Sequence, residues 1–181
     1  MRVIAVFAGA AVVLAGSTLA VAEDPPTMPE PTAEHEVLGH WVGTWKGSGE
    51  VKASPFGPGG EATWSDECTW FGGSEFHVVC RSEGTGPTGP MQGLGIMGYH
   101  PMKQVYTHYG VDSSGWSGYS EGTRSGDTWT FHSEETMGGV TYHSRFTMTI
   151  ESDDRMTFSW AMSEDGETWE TLMTGESRRV D

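Results

Sequence analysis

The chain of 181 residues carries 10 basic against 25 acidic side chains, a formal net charge of −15. A field of that sign repels nucleic acid and anionic membrane surfaces, and no Lys/Arg cluster overrules it locally, so nucleic-acid binding is excluded. The length suits one domain with a full core.

Val3 to Ala20 form an apolar run behind Arg2, and Ala20-Val21-Ala22 then precede Glu23-Asp24. A positive start, an apolar stretch and a small-residue site predict a signal peptide over residues 1–22, cut after Ala22. The protein is therefore expected to be periplasmic or secreted, with no membrane insertion once the signal is removed. A retained transmembrane anchor is the alternative. Residues 23–31 are acidic and proline-rich and predict a disordered lead. Residues 32–181 are left as the folded domain.

Thr32 can cap a short helix, with Glu34 and Glu36 at its positive end and Val37, Leu38 and Trp41 along one side. Gly43 breaks it. Trp41 to Glu50, WVGTWKGSGE, then places Gly43, Thr44 and Trp45 at the head of a strand, where one large indole can lie across the end of a barrel. The helix is expected to act as a lid on that end.

From there, links rich in Gly, Pro, Asp and Ser (SPFGPGG, FGGS, GTGPTGP, DSSG, RSGD, MGG, ESDD, SEDGE) separate about ten strands. They are predicted at residues 44–53, 61–71, 75–83, 91–99, 103–111, 116–122, 127–134, 140–151, 156–162 and 168–178. Antiparallel strands with one strongly apolar face would leave two exposed edges unless the sheet closes. The fold class is therefore all-β, an up-and-down antiparallel barrel with a short N-terminal helix; a two-layer sandwich is the runner-up.

Cys68 and Cys80 are the two cysteines. Alternation puts Trp64, Cys68 and Trp70 on one face, and Phe76, Val78 and Cys80 on one face across Gly72-Gly73-Ser74. If both faces meet the same core, paired residues have an even sum, and the cysteines lie opposite or one step diagonal. A cross-strand disulfide is the first reading and two buried thiols the second. In the later strands Tyr142, Ser144, Phe146, Met148 and Ile150 share a face, as do Met156, Phe158, Trp160 and Met162. Pointed inward with glycines that fill no volume, these predict a lined cavity rather than a solid core. The candidate lining is Trp64, Trp70, Phe76, Tyr142, Phe146, Phe158 and Trp160, with Met148, Met156 and Met162 adapting to its shape.

Gly-x-Trp on the first strand, with the Arg178-Arg179 pair on the last, is similar to the calycin superfamily of lipocalins, avidins and fatty-acid-binding proteins. The blocks EHEVLGHWVGTWKGSGE, ECTWFGGSEF and GLGIMGYHPMKQVYTHYGVDSSG resemble more closely an uncharacterised bacterial group of calycin-like barrels, a domain of unknown function, over about residues 31–179. The resemblance implies the fold, no established reaction, and a closure in which Trp45 is covered by an arginine of the last strand, Arg178 or Arg179; Arg178 is the assignment made here. The related nitrobindins bind haem through a C-terminal histidine, and no histidine follows His143 here, so no cofactor is expected.

His132 and His143 flank the Met137-Gly138-Gly139 turn and, with Glu134 or Glu135, have the composition of a zinc site. Alternation sends both outward, so no metal is assigned. The acidic turns at 151–154 and 164–167 lack a calcium loop's spaced ligand set, and Asp165-Gly166 is better read as a hairpin turn. No nucleophile elbow, phosphate loop or zinc-protease motif is present, and no catalytic residue is assigned. The expected function is to hold a small apolar or amphipathic molecule in the interior. The alternatives are an isomerase or cyclase using Tyr106, His108, Tyr142 or Asp66, and an envelope protein-interaction module.

Overall fold

The computed structural model describes residues 29–180; the signal-peptide reading of residues 1–22 and most of the proposed lead lie outside them. Thr32 stands at the N-cap of α1 (Ala33–Glu36), and its backbone N–H donates to His35 Nδ1 at 3.1 Å. The turn tightens into a 3₁₀ segment, Val37–Trp41, whose Leu38 and Trp41 are buried. The chain then enters ten strands: β1 (Gly43–Val51), β2 (Gly60–Trp70), β3 (His77–Gly86), β4 (Gly89–His100) and β5 (Val105–Asp112), followed by β6 (Ser117–Ser125), β7 (Thr128–Met137), β8 (Val140–Ser152), β9 (Arg155–Ser163) and β10 (Glu170–Arg179).

Each strand pairs antiparallel with its sequence neighbours, and β1 pairs with β10, so the sheet closes into a barrel without a free edge. The turns follow from residues that tolerate positive φ. Gly138 (φ 59°) and Gly139 (φ 86°) join β7 to β8 in a two-residue link whose hand matches the twist of the strands. Burial alternates with period two along the strands, as one inward and one solvent face require. Among the described residues, no helix is long and apolar enough to cross a membrane.

One end of the barrel is sealed. Trp41 meets Trp129 edge-on with ring centroids 4.4 Å apart, and Tyr106 packs on the same indole at 4.3 Å. Trp45, 1% exposed, donates its indole N–H to the Trp41 carbonyl at 2.9 Å. Leu38, Cys68, Val78, Met97, Met148 and Met156 complete this floor, while Ala62, Met162 and Leu172 are buried toward the other end.

Cys68 and Cys80 are directly paired across β2 and β3, with Cα atoms 4.0 Å apart, and form a disulfide. The two residues are directly opposed in the antiparallel register, the arrangement that brings side chains on one face closest together.

Candidate functional site

Registers around the barrel define what faces the axis. Starting from the floor and moving one inward position toward the opposite end, Cys68 gives way to Asp66 on β2 and Cys80 to Ser82 on β3. Likewise Met97 gives way to Gly95 on β4 and Tyr106 to His108 on β5. On the far wall Trp129 gives way to Phe131, Met148 to Phe146 and Met156 to Phe158. The interior above the floor is thus two-sided: small or polar residues from β3 to β6 face aromatic rings from β7 to β9, and β2 carries both, Asp66 and then Trp64.

Those rings are not sealed in. Trp64, Phe146, Phe158 and Trp160 point inward yet are only half-buried, as are Asp66, Ser82 and His108. The end of the barrel opposite the helix is called its mouth here. At this mouth Phe56 meets Tyr142 edge-on at 5.0 Å, and Trp116 donates its indole N–H to Glu135 Oε2 at 3.0 Å.

The expectation that the glycines simply leave volume needs correction. A Cβ at Gly47 would lie 2.2 Å from the Trp64 ring, at Gly118 2.4 Å from Trp116, at Gly122 2.6 Å from Phe131 and at Gly175 2.8 Å from Phe158. Glycines on these strands are seats for neighbouring rings. Gly93 differs, because its nearest neighbour would be a backbone oxygen at 3.5 Å. On the same side Gly95 and Gly110 again seat a ring, His108, at 3.0 and 3.1 Å.

The interior polar groups divide into satisfied and open. Trp64 donates to Ser177 Oγ at 3.1 Å and Trp160 to Ser144 Oγ at 2.8 Å, which locks both indoles edge-down against the wall. Asp66 accepts one hydrogen bond, from Ser82 Oγ to Oδ1 at 2.5 Å. Burial pushes its carboxyl above the ordinary aspartate range, and the Ser82 bond opposes that shift. His108 has no hydrogen-bond partner among the described residues, and burial holds its imidazole below the ordinary histidine value.

Of the seven lining candidates, Trp64, Phe146, Phe158 and Trp160 come together in the interior, with Tyr142 at the mouth. Trp70 and Phe76 do not join them: Trp70 packs on the outer side of the floor near Gly39, and Phe76 meets His35 edge-on at 5.0 Å under the helix. Both follow the β2 and β3 faces past the floor to the closed end, where inward parity no longer means facing the cavity. Met148, Met156 and Met162 are buried; the first two belong to the floor.

Trp45 is covered by Arg179, not Arg178. The Arg179 guanidinium lies 4.3 Å from the indole centroid and donates to the carbonyls of Val42 and His40, the latter at 2.6 Å. Trp45 and Arg179 are direct partners between β1 and β10, so they share a face and Arg178 must take the other, where it pairs with Glu176 at 3.3 Å.

His132 opposes Arg145 and His143 opposes Glu134, so the two histidines are offset rather than facing; His143 Nδ1 lies 3.8 Å from Glu134 Oε1. Among the described residues no group of three potential ligands converges on one point. Two shallow depressions mark the outer wall: one of about 230 Å³ beside Lys46 and Glu176, and one of about 400 Å³ bordered by Phe71, Val79, Leu94 and Ile96.

Sequence reasoning gave no role to Ser82 or Ser177, placed Ser144 on the inward face without a bond to Trp160, and weighed Glu135 only beside a zinc ion. Ser82 had a signal: if Cys68 opposes Cys80, antiparallel register places Asp66 opposite Ser82. The two indole acceptors had none, because each depends on how a ring tips across strands.

The fold is shared by proteins of very different sequence. Rv2717c from M. tuberculosis is 13% identical with a TM-score of 0.59, over 83% of this chain and 99% of that one. The S-type phycobiliprotein lyase CPES from Guillardia theta is also 13% identical, with a TM-score of 0.54 over 83% and 94% of the two chains. A de novo designed fluorescence-activating β-barrel is 18% identical with a TM-score of 0.45 over 78% and 94%. At these identities the first two show a likeness of fold alone. No curated protein matches the chain. A family model does match, from residue 30 to residue 179, so that the whole barrel and its helical lid are covered: the chain belongs to the family described as protein of unknown function, DUF1579.

Proposed function

We propose that this protein holds a small amphipathic molecule inside its barrel, entering at the mouth and resting on the aromatic floor. The observation that carries the reading is the half-buried state of Trp64, Phe146, Phe158 and Trp160, inward rings above a sealed end. A core selected only for stability would bury such rings fully, since each large side chain left partly wet forgoes a share of the roughly 1.5–3 kcal/mol that full burial gives. In this reading residues 1–22 are a signal peptide, the mature domain works outside the cytoplasm, and the closed end with Trp45 and Arg179 serves the same closure as in calycin barrels.

Native mass spectrometry of the protein exported to a bacterial periplasm, compared with its denatured mass, tests this. A non-covalent adduct of small-molecule mass that is lost on denaturation supports it. A bare mass, together with no fluorescence response of an apolar dye and no change in tryptophan emission on dye addition, refutes it. An isomerase or cyclase remains the second reading, favoured by the presence of Asp66 and His108 in the same layer; it requires turnover that His108→Gln abolishes while binding persists.

A further inference from the structure

Between the floor and the mouth, the charges that face the axis have one sign. Nine Lys and Arg residues lie within the described chain. Registers turn Lys46, Arg81, Arg145, Arg155 and Arg178 to the outer wall. Lys52 follows the last residue of β1, and Lys103 pairs with Glu121 outside at 2.5 Å. The two with inward parity, Arg124 and Arg179, are spent at the closed end: Arg124 lies 5.7 Å from the Trp129 centroid, and Arg179 covers Trp45. Above them the inward ionisable groups are Asp66, Glu135, Asp112 and Tyr142, with His108 the single base.

The acids are unequally engaged. Asp112 Oδ1 is consumed by its own turn, accepting from the Ser114 and Trp116 backbone N–H groups. Glu135 accepts from Trp116 and Ser133. Asp66, deepest of the three and next to the floor, has one neutral partner, Ser82, and no cation among the described residues. A carboxylate held there with a single hydroxyl has unmet demand for a donor, and a cation meets it best. On the other wall stand Phe146 and Phe158, their ring centroids 5.3 Å apart, and Trp64, the next inward residue beside Asp66 on β2, brings its ring centroid within 5.4 Å of that of Phe158. Ring faces attract a desolvated cation. His108, with no hydrogen-bond partner on either ring nitrogen among the described residues, adds an acceptor in the same layer.

From this juxtaposition, and resting on the proposed interior binding, we infer that the ligand class is a compact aromatic or amphipathic amine, bound as a cation with Asp66 as its counter-ion and the aromatic wall over its ring. The same arrangement rejects carboxylate ligands: a fatty-acid-like head would sit beside Asp66 with no basic residue to receive it. The acidity of the whole chain, −15, adds long-range attraction for cations.

The test uses three naphthalenes of matched shape, 2-naphthylmethylamine, 2-naphthylmethanol and 2-naphthoate, titrated calorimetrically into the intact domain at pH 8 and physiological salt. The inference expects the amine to bind at least tenfold more tightly than the alcohol, and the acid at least tenfold more weakly. Asp66→Asn should bring the amine down to the affinity of the alcohol while leaving the alcohol unchanged, which shows that the variant is folded. Ser82→Ala keeps the carboxylate and should preserve the amine preference. Equal binding of all three leaves the interior reading standing and overturns the amine inference. An amine preference that survives Asp66→Asn also overturns it, since general surface acidity would then be the cause. Binding by none removes both.

Discussion

Replacing Arg179 with alanine tests the closure of the barrel end more sharply than any change to the floor itself. The guanidinium contributes a cation–π contact to a nearly fully buried indole at 4.3 Å, worth roughly 0.5–2 kcal/mol. It also donates to the part-buried His40 and Val42 carbonyls, which tie the 3₁₀ segment to β10. Leaving two such acceptors without their charged donor costs about 1 kcal/mol each, at the low end because water enters once the side chain is gone. The total is about 3 kcal/mol. With a urea m-value of about 2 kcal/mol/M for a domain of this size, the unfolding midpoint should fall by about 1.5 M. Arg178→Ala, which removes an exposed pairing with Glu176, should leave the midpoint unchanged within error. Arg179→Lys should recover less than half of the loss, because an ammonium cannot reach both carbonyls and the indole together. Urea denaturation followed by tryptophan fluorescence reads all three. Equal losses for Arg178→Ala and Arg179→Ala, or a loss under about 0.5 kcal/mol for the latter, would refute the assignment.

Three further outcomes follow from the same geometry. Reducing the Cys68–Cys80 bond opens a loop with sequence separation 12, so chain entropy predicts a loss of about 3 kcal/mol, measurable as a lower urea midpoint in the presence of reductant and absent in a double-alanine variant. Gly47→Val should be destabilised by about 1–3 kcal/mol because its side chain meets the Trp64 ring, and should alter near-ultraviolet circular dichroism; Gly57→Ala, with nothing within 4 Å of the new methyl, should do neither. For pH, the Asp66 carboxyl is raised in the folded state, so the folded protein holds a proton that the unfolded chain releases. Its contribution is most favourable at low pH and is lost as pH rises from the unfolded aspartate value through the folded one. Asp66→Asn should therefore raise stability at pH 7 relative to pH 4. His108 is lowered when folded, so its contribution is full above the unfolded value and is lost as pH falls from there through the folded value; His108→Gln should flatten that limb of the stability profile.

How much could be read from the chain itself differs between the wall and the site. Turn residues and period-two alternation are local, and they place all ten strands within a few residues, including the two-residue Gly138-Gly139 link between β7 and β8. The largest boundary differences fall at the ends of β3, β6 and β7, which run on to Gly86, Ser125 and Met137, because pairing with the next strand there overrides a weak local preference. The cysteines were placed opposite or diagonal by parity alone, and pairing across a closed hairpin selected opposite.

Inward parity, however, is not the same as facing a cavity, and this is where sequence reasoning fell short. Trp70 and Phe76 obey the alternation of Trp64 and Val78 but lie beyond the plane of the floor. The level of that floor is set by the helix, Trp41 and Trp129 together, not by any one strand. The choice between Arg179 and Arg178 likewise waited on the β1–β10 register, which closes the barrel between residues more than a hundred positions apart.

By itself the sequence determined the strand pattern, the helical lid, the disulfide-capable pair and the acidic charge, because each rests on neighbours in the chain or on composition. Only the tertiary structure decided which rings stay wet, which glycines seat a ring, and that Asp66 stands without a cation above an aromatic floor. Those facts depend on side chains from strands that meet across the barrel, and a distance across the axis is not encoded in any local spacing.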